Sequence, residues 1–101
     1  MAIETRLSND DTVLVIGING PFDFSLLNEF RQAYSKDEYQ TKNITIDMRR
    51  TSTIDSSALG MLLNMQRYLK KKDREINIIN CGPVVLKVFQ ITHFNEKFTI
   101  K

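Results

Sequence analysis

The chain is poor in the residues that build reactive centres: its 101 residues include one cysteine, Cys81, and one histidine, His93. A lone thiol excludes an internal disulfide and fits a reducing cytoplasm. Together the two residues supply no ligand cluster, so no metal is expected. Glycine is scarce as well. Of the four present, only Gly60 stands near a serine-rich motif, inside a helical stretch with no lysine placed to follow it, which leaves no loop to cradle a nucleotide phosphate. No run of about eighteen apolar residues exists to span a membrane. The opening MAIETRLSND has neither a basic start nor an apolar stretch, so no signal peptide is expected.

An excess of charge is missing too. Fourteen basic residues against twelve acidic ones give a net +2, too small to imply a nucleic-acid or membrane partner. The one basic cluster, KKKDR from Lys70 to Arg74, has no interleaved aromatics of the kind that bind single strands, and suits a helix C-terminus facing solvent. What remains, 42% hydrophobic and 26% charged, describes an ordinary folded protein. The length suits one domain over residues 1–101, soluble and cytoplasmic, with a core that needs no metal or disulfide staple.

Periodicity then orders the chain. Ile3, Thr5 and Leu7 alternate as a short edge strand, Ser8 to Asp11 form a turn, and Thr12 to Ile18 form a β-branched strand. Gly20 and Pro21 break that strand. Leu26, Leu27, Phe30, Ala33 and Tyr34 recur at helical spacing over residues 24–34, and a polar loop fills 35–43. Asn43 to Met48 alternates as a strand. The strongest helical segment, Ser56 to Lys70, places Leu59, Leu62, Met65, Gln66 and Leu69 on one stripe, with Ala58 and Leu63 at its edges. Glu75 to Asn80 is another strand, Pro83 opens a helix over Val84 to Gln90, and Lys97 to Ile100 closes as a strand. The order β-β-α-β-α-β-α-β predicts an α/β domain with a mixed β-sheet of four to five strands and interspersed α-helices.

Sheets of this kind place ligands and partners beyond the strand C-terminal ends, where loops feed helix N-termini. The segment STIDSSALG, residues 52–60, falls at such a place. Asp55 as N-cap accepts a bond from the amide of Ser57 or Ala58, and Ser56 and Ser57 occupy the first turn, where the positive helix end tolerates a phosphate. Taken alone, ordinary capping explains these residues better than any role toward a partner. A hydrolase using Ser56 is disfavoured because SSALG lacks the flanking glycines of a nucleophile elbow and nothing fixes His93 nearby. A carboxylate-phosphorylated receiver is disfavoured because Asp10 and Asp11 precede their strand, while the candidate acceptor Asp47 ends another.

The wider pattern resembles the STAS domain of bacterial anti-sigma-factor antagonists. IDMRRTSTIDSSALGMLL is similar to that family's strand, loop and Asp-Ser-Ser/Thr-Gly-Leu-Gly helix start. INGPFDFSLLNEF resembles its Gly-x-x-Asp turn, with Gly20 and Asp23 in place, and INIINCGPVVLKVFQITHF resembles its strand, proline-started helix and Thr-Gly-Leu ending. Ala58 and His93 stand where the family has glycine, and the Ala58 methyl is expected at the surface.

The resemblance implies a STAS-like fold and a non-enzymatic partner switch with no cofactor and no catalytic group of its own. It implies phosphorylation at Ser56 by a serine protein kinase that is itself the anti-sigma factor or an analogous regulator, and reversal by a PP2C-type phosphatase. Unmodified protein would bind the regulator, and phosphorylated protein would release it. Asp23, Asp55 and Ser57 would surround the acceptor, with Ala58, Gly60, Met61 and Asn64 extending the partner contact along the helix. For Met61 and Tyr68 packing under neighbouring loops stays open as the alternative. A second role for the same fold is a STAS subunit of a transport assembly such as a lipid-transport ABC ATPase.

Overall fold

The computed structural model describes residues 2–36, 39 and 42–101. Among them the elements run β1 Ile3–Leu7, β2 Val13–Ile18, β3 Gly20–Phe22, α1 Leu27–Ser35, β4 Asn43–Asp47, β5 Thr51–Ile54, α2 Ser56–Lys70, β6 Ile76–Ile79, α3 Pro83–Ile91 and β7 Thr99–Ile100. Short 3-10 turns at Phe24–Leu26 and Phe94–Glu96 lead into α1 and β7. The polar loop expected over residues 35–43 lies in large part outside the described residues.

The main sheet has the order β1-β2-β4-β6-β7. The β1–β2 hairpin is antiparallel and every other neighbour is parallel. Asp10 organises the hairpin turn by accepting bonds from the Ser8 hydroxyl (2.7 Å) and the Thr12 hydroxyl (2.8 Å). These bonds, Ser8 foremost, hold its carboxyl at a pKa of about 2. Each parallel crossover steps in the same direction along the sheet, so right-handed connections bring all three helices to one face. The strand period of two supplies the matching apolar surface: Leu14, Ile16, Ile18, Ile44, Ile46 and Ile78 are all 0% exposed. The alternate positions Glu4, Arg6, Val15, Gly17, Thr45, Asp47 and Asn77 form the other face, and of these Val15 alone is buried.

Two strands were not foreseen. Gly20 and Pro21 do end β2, but Gly20 has φ +81, a left-handed conformation natural to glycine, and turns the chain into β3. That strand pairs in parallel with β5, within the stretch read as a loop, to make a two-stranded sheet with a register shift between Gly20 and Pro21. Three-residue and four-residue strands carry too little periodicity to be read alone.

The inward stripe of α2 also differs from expectation. Ala58, Met61, Leu62, Met65 and Leu69 are its buried residues, whereas Leu59 and Gln66 are only half-buried. The spacing 58, 61, 62, 65, 69 is the full i, i+3, i+4, i+7 pattern, about 100° wide. Tyr68 packs as well: its ring meets Tyr34 of α1 edge-on at 5.4 Å, and Lys72 lies over its face. Arg74, assigned to a solvated basic cluster, is buried at 6% exposure, with Nε donating to the Lys42 carbonyl and both terminal nitrogens without a hydrogen-bond partner among the described residues. Loss of hydration lowers its pKa. Burial likewise pushes the thiol of half-buried Cys81 up.

His93 follows α3 with φ +61. A non-glycine residue in that region carries strain from its Cβ, which explains why a glycine suits the position. Its side chain is exposed, 3.5 Å from Glu96.

Two stability measurements follow. Met65→Ala is expected to cost about 2–5 kcal/mol in urea unfolding, and its exposed neighbour Asn64→Ala less than about 0.5 kcal/mol. His93→Gly is expected to raise stability by up to about 1 kcal/mol in the same assay by removing left-handed strain.

Candidate functional site

The small β3–β5 sheet determines where the serine motif sits. Phe22 and Ile54 are register partners at the ends of two parallel strands, and the Asp55 amide donates to the Phe22 carbonyl at 3.4 Å. Parallel strands end side by side, so the residues that follow, Asp23 and Asp55, are neighbours although 32 positions separate them. Both are extended N-caps. Asp23 accepts from the Ser25 amide at 3.0 Å and from the Ser25 hydroxyl, starting the turn into α1. Asp55 accepts from the Ala58 amide at 2.9 Å and starts α2.

These caps account for the local path. Each satisfies an amide in a first turn that has no intrahelical partner. Two helix starts therefore open at the same end of the sheet, with two carboxylates between their positive ends.

Ser56 is the first residue of α2 and is exposed; its hydroxyl makes no hydrogen bond among the described residues. Ser57 is half-buried beside it. Asp55, Gly60 and Asn64 are exposed, and Asp23 is half-buried. Gly60 occupies a helix interior with open space where a Cβ would stand. A glycine there costs about 1 kcal/mol relative to alanine, with no internal packing reason for it.

Two expected surface residues are not at the surface. Ala58 is 0% exposed and Met61 4%. Both point into the core because they begin the buried stripe of α2, so neither side chain is available to a partner. The Ala58 methyl adds to the core instead of the surface.

One residue of this end escaped the sequence reading. Phe24 is 64% exposed directly after Asp23. Its signal was its position outside the periodic set Leu26, Leu27, Phe30, Ala33 and Tyr34. Val84, 58% exposed in the first turn of α3, lies at the same end of the sheet.

The acid constellation of a receiver is not assembled. Asp10 and Asp11 lie at the β1–β2 turn, while Asp47 ends β4 at the opposite end of the sheet, its Oδ1 accepting from the Arg49 amide and Asn80 Nδ2. No group of three or more metal-ligating side chains occurs among the described residues. No helix of the described residues is long and apolar enough to cross a membrane.

Comparison with known proteins matches residues 4–101 to the STAS domain. The chain belongs to the STAS domain family. A STAS-domain containing protein of Pseudomonas aeruginosa (strain UCBPP-PA14) is 37% identical over 100 residues, covering 99% of both chains. Solved structures share the fold at lower identity. The phosphorylated form of the Bacillus cell fate determinant SpoIIAA superposes with a TM-score of 0.74 at 24% identity, covering 99% of this chain and 91% of its own. A sulfate transporter family protein from Wolinella succinogenes gives 0.77 at 21%, covering 91% and 74%. Structures of anti-sigma-factor antagonists, among them one from Mycobacterium paratuberculosis, are thus neighbours of this STAS domain in fold.

The cap is testable apart from any partner. Asp55→Ala is expected to lower the stability of the STAS domain by about 1 kcal/mol in thermal or urea unfolding, and Asp55→Asn by less.

Proposed function

We propose that this STAS domain is an anti-sigma-factor antagonist that acts by partner switching at Ser56. The observation that carries the reading is the exposed Ser56 hydroxyl at the first position of a capped 15-residue helix, beside Asp55 and Asp23. Unmodified protein binds a regulator that is both an anti-sigma-type factor and a serine kinase. Phosphorylation of Ser56 releases it, and a PP2C-type phosphatase restores binding. The protein works by binding, in the cytoplasm, and performs no chemistry of its own.

The contact surface follows from what is exposed at this end. Ser57, Gly60 and Asn64 continue outward from Ser56 along α2, while Phe24 and Val84 supply apolar area at its margins. The open space over Gly60 lets a partner backbone come close to the helix. Ala58 and Met61 act from beneath by fixing the helix on the core.

Electrostatics suffice for the switch. A phosphate adds about −1.5 to −2 charges. At roughly 8 Å from one partner carboxylate on a half-solvated surface, repulsion is about 2–4 kcal/mol before screening, or tens- to several-hundred-fold in affinity. The helix N-terminus accommodates the new charge, so the domain need not change shape.

Incubation with ATP and cell extract followed by mass spectrometry is expected to place one phosphate on Ser56. Wild type and Ser56→Ala are expected to capture the same kinase-like regulator, and the phosphorylated form to bind it about 10–300-fold more weakly, with the difference shrinking as salt rises. Equal binding by all three refutes the switch. Co-purification of an ABC-type ATPase in place of a kinase-like regulator assigns the domain to a transport assembly.

A further inference from the structure

The sheet face without helices carries a cleft. Because every crossover lies on one side, the row Glu4, Gly17, Asp47 runs open across β1, β2 and β4 as register partners. Gly17, at its centre, has no side chain, and the resulting notch is a cleft of about 280 Å³ whose walls include Glu4, Asp47, Arg6, Arg49 and Arg50. That size falls just below the usual range of small-molecule pockets, about 300–1,000 Å³.

The arginines are the unusual part. Arg6 projects from β1, and Arg49 and Arg50 occupy the turn after β4 that the Thr51 amide closes onto the Met48 carbonyl at 3.1 Å. None of the three guanidinium groups has an ion pair or hydrogen bond among the described residues, although two carboxylates share the cleft. Asp47 is held aside: its Oδ1 takes bonds from the Arg49 amide and Asn80 Nδ2. The two adjacent forked donors of Arg49 and Arg50 match the oxygens of a phosphate, which a guanidinium binds bidentately, while Arg6 lines the opposite side of the notch. The carboxylates on either side of Gly17 are acceptors for hydroxyl groups.

The geometry points to a binding site for a small phosphomonoester of a polyol, a sugar phosphate in kind, on the open face of the sheet. The phosphate sits at Arg49 and Arg50, beyond the end of the row, and the hydroxyls lie over Gly17 between Glu4 and Asp47, with Arg6 on the far side of the row. No residue is shared with the serine motif, so this ligand and a partner at α2 occupy the domain together.

Gly17 offers a clean test. A Cβ built there meets only the Glu4 carbonyl, at 3.9 Å, so Gly17→Val fills the cleft while suiting the strand. Amide NMR titrations at constant ionic strength use glucose 6-phosphate, inorganic phosphate and glucose as probes. Glucose 6-phosphate is expected to give saturable shifts at Gly17, Arg49 and Arg50. Affinity is expected to fall about tenfold or more in Arg49→Gln/Arg50→Gln and in Gly17→Val, with the rest of the spectrum preserved. Absence of saturable shifts, shifts centred on residues 55–58, or undiminished affinity in folded variants overturns the site. Equal affinity for inorganic phosphate and glucose 6-phosphate overturns the part assigned to Glu4 and Asp47.

Discussion

The pairing of β3 with β5 is the constraint on which the helix-start end of this domain depends. The two strands are short, and they are held at their base by bonds that belong to neither alone. The Gly20 amide donates to the Arg50 carbonyl at 2.9 Å, and the buried Thr51 hydroxyl donates to the Ile18 carbonyl at 2.8 Å. A buried hydroxyl without that acceptor would carry an unmet desolvation cost of about 1–3 kcal/mol, so the bond specifies the arrangement as well as stabilising it. From there the parallel register carries both chains to the same level, and two aspartates emerge together.

That arrangement couples packing to exposure. Phe22 is fully buried against Phe30, ring centroids 5.1 Å apart, while Phe24 two residues later is largely exposed. On α2 the buried stripe begins at Ala58, immediately after the serines, so the hydroxyl-bearing turn stands on a rigid element. A charge added at Ser56 would then sit at a defined place, as the proposed electrostatic release of a partner requires. A serine on a loose loop would move away from the repulsion.

The same topology that gathers the helices on one face leaves the other bare. A mixed sheet exposed on one side needs polar residues there, and Glu4, Arg6, Thr45, Asp47 and Asn77 meet that need. The cleft over Gly17 arises because one position in that polar layer has no side chain. The domain thus has two chemically different surfaces: an N-terminal helix tip that suits a protein partner, and an arginine-rimmed notch that suits a small anion.

Much of this was legible from local pattern. The alternation of β2 and β4, the proline start of α3, the Asp55 cap and the position of the serines all rest on residues within one turn or one strand of each other. Their physics is short-range, and the sequence by itself determined them, along with the lack of a second cysteine for an internal disulfide. Tertiary structure alone decided the rest. The β3–β5 pair joins segments about thirty residues apart, and neither has the length to declare itself. Met61 and Ala58 entered the core, and Arg74 left solvent, because of which neighbours packed over them. That Arg6, Arg49 and Arg50 have no partner among the described residues likewise depends on where two separate segments bring their charges. Burial and pairing between distant segments are properties of contacts, and contacts exist only once the chain has folded.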